Sequence, residues 1–254
     1  MTFLRSLAFN IFFFAWLLVL LLFAWILLPF PRRVMQRMLR MWSWVTLWGI
    51  RLFGGIKYRF EGLENIPEGP IMIASKHQSI WDTFVMYVLL DDPQYVLKQE
   101  LMKIPLWGLY AAKSEHIAID RSAGAKALRD MVTNCTDRLS RGRQVIIFPE
   151  GTRTAPGVTL RYHPGVAAIY QQMPENSCVV PAALNSGSFW GRRKFYIRPG
   201  TITLRFMEPI PTGLPRKEFM ALLEERIETA STELFNAAGA QRGKLPPSPH
   251  ETRG

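Results

Sequence analysis

Ile71-Met72-Ile73-Ala74-Ser75-Lys76-His77-Gln78-Ser79-Ile80-Trp81-Asp82-Thr83 is the stretch on which the reading of this chain turns. Its first four residues form a short, partly β-branched apolar run, bounded upstream by Pro67-Glu68-Gly69-Pro70. That pattern fits a buried strand. Phe84 to Leu90 reads as helix. The strand then delivers His77 onto a loop, a common seat for catalytic groups. On one ideal helix His77 and Asp82 would lie about 140° apart around the axis and could not touch. With His77 on the loop and Asp82 in the first helical turn, the carboxylate can accept from one ring nitrogen and leave the other free as a base. The alternative is a histidine cap and an aspartate that complements the helix dipole. Ser79 is near, but no Gly-x-Ser-x-Gly elbow occurs in the chain. A base that activates a substrate's own hydroxyl is therefore the simpler chemistry.

Strand and helix patterns continue to alternate downstream. Tyr58–Glu61, Gln94–Lys98, His116–Asp120, Val145–Phe148, Cys178–Leu184 and Thr201–Phe206 read as strands. Glu100–Lys113, Leu128–Leu139, Val166–Gln172 and Phe219–Leu234 read as helices. The expectation is an α/β layered domain with a largely parallel or mixed central sheet flanked by helices. Its bounds are set at 57–238, with residues 239–254 expected to be a disordered tail.

The amino-terminal segment, 1–56, has a different character. Leu7 to Leu28 is apolar except for Asn10, long enough as a helix to cover a hydrocarbon core of roughly 30 Å. It exceeds the apolar run of a cleavable signal peptide and lacks a small-x-small site after it. Pro29 and Pro31 end it. Arg32 to Arg51 then interleaves arginines with Met35, Met38, Met41, Trp42, Trp44 and Trp48, which suits a helix in the headgroup region with its arginines toward anionic lipid. The tryptophans can alternatively pack on the domain. Hydropathy does not choose between spanning the bilayer and dipping into one leaflet. Positive residues after the first helix place the rest on the cytoplasmic side. A chain beginning at Lys57 is expected to be soluble.

Residues 1–60 hold eight cations and no carboxylate, which is +8 of the net +11 and leaves +3 for the other 194 residues. The globular part is not generally basic, so nucleic-acid binding is not indicated. Cys135 and Cys178 lack paired spacing, and with four scattered histidines they suggest neither a disulfide framework nor a zinc site. No phosphate-binding Gly-rich loop and no His-Glu-x-x-His motif occurs. No metal is expected.

A second polar constellation, Pro149-Glu150-Gly151-Thr152-Arg153-Thr154, follows the strand Val145–Phe148. Arg153 can offer a bidentate fork to a phosphate, Gly151 permits close backbone approach, and Glu150 can fix a neighbouring cation or a substrate hydroxyl. A strand-end turn with a surface ion pair would have the same composition. Lys98 and Arg121 also stand at strand ends. In a parallel sheet one edge would gather all of these with His77.

These blocks resemble those of the glycerolipid acyltransferases, specifically the bacterial 1-acyl-glycerol-3-phosphate acyltransferases. The resemblance covers about residues 57 to 236. His77-Gln78-Ser79-Ile80-Trp81-Asp82 is similar to the family's His-x4-Asp block, and Ile117-Ala118-Ile119-Asp120-Arg121 to its second. Phe148-Pro149-Glu150-Gly151-Thr152-Arg153 resembles the third block and Val179-Val180-Pro181-Ala182 the fourth. Tyr162-His163-Pro164-Gly165 departs from the pattern, since many relatives carry Lys before the glycine.

The resemblance implies His77 as general base, with Asp82 orienting it. The third block and Arg121 would grip the acceptor's phosphate, and Pro181 would help shape the acyl or acceptor site. The implied acceptor is lysophosphatidic acid, the donor acyl-CoA or acyl carrier protein, and the place the cytoplasmic side of a bacterial inner membrane, with no bound cofactor. Another lysolipid acceptor, such as a lyso-ornithine lipid, or a catalytically silent membrane-binding protein are the rivals.

Overall fold

A computed structural model describes residues 2–192 and 194–242, without the side chains of Arg121 and Arg242. The strands are β1 (Ile56–Glu61), β2 (Ile71–Ser75), β3 (Pro93–Lys98), β4 (Ile117–Ile119), β5 (Gln144–Ile147), β6 (Cys178–Leu184), β7 (Gly200–Phe206) and β8 (Ile210–Pro211). They lie in the order β1-β7-β6-β2-β5-β3-β4, with β8 beside β6. From β6 across to β4 all neighbours run parallel, whereas β7 and β8 are antiparallel to β6. The sheet is therefore mixed, with one long parallel stretch at its centre.

β2 is buried at every position because both of its faces are covered. Ile71 and Ile73 join Ile146 and Val180 in one core, while Met72 and Ala74 join Val145, Ile147 and Val179 in the other. The helices are α1 (Thr2–Ala24), α2 (Arg32–Gly49), α3 (Trp81–Leu89), α4 (Trp107–Lys113), α5 (Gly124–Ser140), α6 (Gly165–Tyr170) and α7 (Arg216–Arg242). The first core is closed by α1, α2 and α3, the second by α5, α6 and α7. Removing this much apolar surface from water is the main stabilising term.

Three elements differ from the sequence reading. The helix expected over Glu100–Lys113 is broken into a 3-10 turn at Gln99–Lys103 and then α4, because Pro105 forces Ile104 into an extended conformation with ψ 122°. Strand β8 was not expected. The closing helix runs on to Arg242, so residues 239–242 are helical, and residues 243–254 lie outside the described residues.

Pro181 stands in a central strand, where a missing N–H usually breaks a ladder. Its carbonyl accepts from Met207 N at 2.9 Å, so its nitrogen faces the same side of β6. There β6 changes partner, from β8 at Cys178 and Val179 to β7 at Ala182. The proline thus occupies the gap between two pairings.

The amino-terminal helices belong to the same core. Phe9 and Phe13 of α1 meet Trp190 edge-on at 5.1 and 5.5 Å, and Trp42 of α2 meets Phe84 of α3 at 5.9 Å. Trp16 and Trp42 each donate an indole N–H to the other's carbonyl, at 3.1 and 3.2 Å. Asn10, the polar exception in the apolar run, donates to the carbonyl of Phe195, and Tyr110 donates to that of Leu21. Gly49 makes the close contact between α1 and α2 possible, since a Cβ there would lie 1.9 Å from the Phe12 ring.

The opposite face of α1 exposes Leu4, Leu7, Ile11, Phe14, Leu18 and Leu22, a row at helical spacing that Trp25 of the following 3-10 turn continues, and α2 exposes Met41, Trp44 and Trp48. The arginines of α2 divide. Arg33 and Arg37 are exposed, but Arg32 pairs with Asp92 and Glu115, and Arg40 donates to the carbonyls of Tyr87 and Leu90 and to Asp91. Arg32 and Arg40 therefore tether α2 to the domain, contrary to the expectation that these arginines face lipid.

Candidate active site

β2 ends at Ser75, and α3 begins six residues later. The intervening loop carries His77, and Asp82 is the second residue of the helix. Asp82 Oδ2 lies 2.9 Å from His77 Nδ1 and accepts the backbone N–H groups of Gln78 and Ser79 at 2.7 and 2.8 Å. The carboxylate is fully buried, and these donors satisfy its Oδ2 without exposing it to water. With Nδ1–H donating to Asp82, the lone pair stands on His77 Nε2, which has no partner among the described residues. Ser79 is a turn residue: its hydroxyl accepts from Trp81 N at 3.2 Å.

The loop after β5 forms the next wall. Phe148 stacks on the His77 ring with centroids 3.9 Å apart and planes 15° from parallel. Thr154 donates its N–H and its hydroxyl to the His77 carbonyl, at 2.8 and 3.1 Å. Between them Gly151 takes φ 65°, a left-handed conformation that a side chain would strain. Thr152 and Arg153 are half-buried on the same loop.

Glu150 turns inward, with 3% of its surface exposed. Of the two partners read for it, a cation or a substrate hydroxyl, the structure supplies the cation. Glu150 Oε1 accepts from Lys76 Nζ at 2.7 Å, and Oε2 lies 3.1 Å from the Thr154 hydroxyl, whose single proton it shares with the His77 carbonyl. Lys76 Nζ also donates to both oxygens of Glu228 on α7, at 2.8 and 2.9 Å, and to the Val158 carbonyl at 3.0 Å. Tyr162 donates to Glu228 as well, at 2.7 Å. Burial foremost, and then the Glu228 charge, push the Tyr162 hydroxyl well above its ordinary range and keep it a donor. Glu150 acts on the site through the loop it holds.

The remaining cations are ordered by strand. Adjacent strands lie about 4.8 Å apart, so the end of β5 is one strand from β2, that of β3 about 10 Å away and that of β4 about 14 Å away. Arg153 follows β5, Lys98 ends β3 with its side chain exposed, and Arg121 opens the 3-10 turn after β4. The Arg121 side chain lies outside the described residues. All four segments emerge from the same edge of the parallel stretch, the C-terminal edge. On the other side of β2, β6 delivers Asn185 and Ser186. The Ser186 hydroxyl donates to Asp82 Oδ1 at 2.6 Å, and the Gly187 N–H donates to the Gln78 side chain at 3.1 Å.

Lys76, Phe148, Thr154, Ser186 and Glu228 escaped the sequence reading as site residues. Ser186 had a faint signal in the polar run Asn185–Ser188 at a strand end. Glu228 had one as an acid bordering the buried stripe of α7.

Residues 57–185 match the acyltransferase family model, whose description is "Acyltransferase". The 1-acyl-sn-glycerol-3-phosphate acyltransferase of Pseudomonas aeruginosa is 38% identical over 178 residues, covering 69% of this chain and 67% of that protein. The human 1-acyl-sn-glycerol-3-phosphate acyltransferase beta is 30% identical over 180 residues, covering 68% of this chain and 63% of its own length. Among solved structures, the 1-acyl-sn-glycerophosphate (LPA) acyltransferase PlsC of Thermotoga maritima shares the fold, with a TM-score of 0.68 and 23% identity over 92% of this chain and 98% of that one. A buried carboxylate aligning a histidine at the C-terminal edge of the sheet, inside the matched segment, agrees with this kinship, and the chain belongs to the acyltransferase family.

Proposed function

We propose that this chain transfers an acyl group from an acyl thioester to the sn-2 hydroxyl of 1-acyl-glycerol-3-phosphate, giving phosphatidic acid. The observation that carries the reading is the His77–Asp82 pair, with Nδ1 committed to the carboxylate and Nε2 open. His77 Nε2 takes the proton of the secondary hydroxyl while its oxygen attacks the thioester carbonyl carbon. The tetrahedral intermediate collapses by breaking the C–S bond, and the imidazolium returns the proton to the departing thiolate. Such a base contributes roughly 10² to 10⁴ in rate, and positioning of the acceptor supplies much of the rest. The donor is acyl-CoA or acyl carrier protein, and the steps call for no metal or bound cofactor.

Arg153, on the strand end next to the His77 loop, takes the glycerol phosphate as a bidentate partner. Lys98 and Arg121, farther along the same edge, extend the anion site outward. Gly151 and Thr152 shape the loop that presents Arg153, and Pro181 sets the course of β6 toward Ser186.

The amino-terminal helices hold the enzyme in one leaflet of the inner membrane, on its cytoplasmic side. α1 is long and apolar enough to span a bilayer, but it is pinned to the domain near both ends, by Ser6 and Asn10 at one and by Leu21 at the other. A spanning pose would drag polar domain surface into hydrocarbon. A helix lying in the leaflet buries only the exposed apolar row.

Turnover by detergent-solubilised protein over a matrix of donors and acceptors tests the reading. His77→Ala is expected to retain under about one hundredth of the activity. Arg153→Ala is expected to impair lysophosphatidate far more than a lysolipid acceptor without that phosphate, and Arg153→Lys to restore only part. Equal losses on both acceptors would assign Arg153 to structural support, and preference for a non-phosphate lysolipid would change the acceptor.

A further inference from the structure

We propose that Ser186 is a positioning residue for acyl transfer: its hydroxyl fixes the Asp82 carboxylate and, through it, the proton on His77 Nδ1. The inference rests on the reading of His77 as the base. Asp82 Oδ2 is occupied by three donors, the His77 ring and two backbone N–H groups. Oδ1 has one, the Ser186 hydroxyl at 2.6 Å, and both side chains are fully buried. Without it a buried carboxylate oxygen would lack any donor among the described residues. The terminal torsion of an aspartate is soft and roughly two-fold, so donors on one oxygen alone leave the plane of the group loosely held. A second donor, arriving from a different strand, sets that plane.

Ser186 is itself well anchored. Trp190 N donates to its carbonyl at 2.8 Å. The adjacent Asn185 side chain accepts from Thr203 N of β7 at 2.8 Å and donates to the Leu234 carbonyl of α7 at 3.3 Å. Gly187 N is latched to Gln78 at 3.1 Å, which ties this turn to the His77 loop a second time. The sheet thus brings a donor from the turn after β6, 104 residues away in sequence, onto the orienting acid. Ser186 never meets the substrate. Its hydroxyl shares the negative charge of Asp82, which moderates how tightly the carboxylate holds the imidazolium formed when His77 takes its proton.

The test compares Ser186→Ala, Ser186→Thr, Ser188→Ala and His77→Ala in detergent, by kcat, acceptor KM, the pH profile of kcat/KM and thermal melting. Ser188 is a control from the same turn, buried at 4% exposure with a hydroxyl that has no partner among the described residues. Ser186→Ala is expected to lower kcat about ten-fold with KM changed by less than about two-fold. The acid limb of its profile should move to higher pH, because the unshared carboxylate holds the imidazolium proton more firmly. The other ionisable side chains nearby, Glu150 of the next loop and Glu228 of α7, are both paired with Lys76, and with Arg153 they are unaltered by the substitution. Ser186→Thr keeps the hydroxyl and should return the acid limb to its place, even where the added methyl crowds the turn and lowers kcat. Ser188→Ala should leave both limb and rate unchanged.

An unmoved acid limb in Ser186→Ala overturns the proposal, whether kcat is retained or falls together with the melting temperature. Activity above about a tenth in His77→Ala overturns the base reading and the proposal with it. An inactive His77→Ala beside an unshifted Ser186→Ala overturns the positioning role alone.

Discussion

Lys76 adjoins His77 in sequence, yet its side chain points into the protein with 1% of its surface exposed. Its ammonium is shared by Glu150 of the third block and Glu228 of the last helix, so one buried cation ties the loops after β2 and β5 to α7. Removing one member of a buried ion cluster leaves charge without compensation, at about 3 to 5 kcal/mol. Lys76→Met should therefore lower stability by that order in denaturant titration, and Lys76→Met combined with Glu150→Gln should cost less than the sum of the two changes. A second buried group responds to pH. Burial pushes the His116 imidazole down to about 4, and it remains neutral between the Tyr87 hydroxyl at 2.7 Å and the Tyr95 N–H at 3.3 Å. The unfolded chain takes up this proton near pH 6.5, before the folded chain does. The contribution of His116 is thus full above about pH 6.5 and is lost as pH falls toward 4, with about 2 kcal/mol gone by pH 5. Chemical unfolding at pH 7.5 and pH 5 should show that loss in the native protein and a smaller slope in His116→Gln. His77 and Asp82 were legible because a strand end and a helix start fix their separation locally. Ser186 and Glu228 were not, because only strand order and helix docking bring them in from 104 and 152 residues away.

Helix and strand positions followed from apolar periodicity wherever one face is buried. β6 falls at Cys178–Leu184 as read, and α5 carries its buried stripe at Met131, Val132, Cys135 and Leu139. The break before α4 was legible too, in Ile104-Pro105, but a run of Leu, Met and Trp outweighed it in the reading. The arginines of α2 show a limit of another kind. A mixed basic and aromatic helix reads the same whether its cations reach lipid or a partner carboxylate, and Asp92 becomes that partner only when α2 docks. The docking of α1 on α2 depends on Gly49. Gly49→Ala would place a methyl within 1.9 Å of the Phe12 ring, which must shift. Overpacking of this kind costs about 1 to 3 kcal/mol. Thermal melting in detergent should show that loss, and Phe12→Ala should recover part of it in the double variant, a non-additivity that two distant sites would lack.

Across the whole molecule, the amino-terminal helices form part of the wall on one side of the sheet, beside α3. Trp42 covers Phe84, and Phe9 and Phe13 cover Trp190, so a chain cut to residues 57–254 would bare both. The expectation that such a chain is soluble is therefore replaced: it should aggregate or melt well below the full chain, measured by gel filtration and near-ultraviolet circular dichroism. Recovery of a monodisperse, cooperatively melting domain would refute this. The boundary at 56 separates compositions but not cores. α1 is also bonded to Phe195 and Ile197, on the segment that leaves β6, and to Tyr110, on the segment beyond β3, both downstream of the C-terminal edge of the parallel strands. The exposed apolar row of α1 and the His77 site thus belong to one folded unit, and an enzyme seated in a membrane by that row would sample its acceptor in two dimensions. Its rate should follow the mole fraction of lysophosphatidate in the surface rather than the amount per volume of solution. Adding inert lipid to vesicles, with every bulk concentration held fixed, should slow turnover in proportion to the surface dilution.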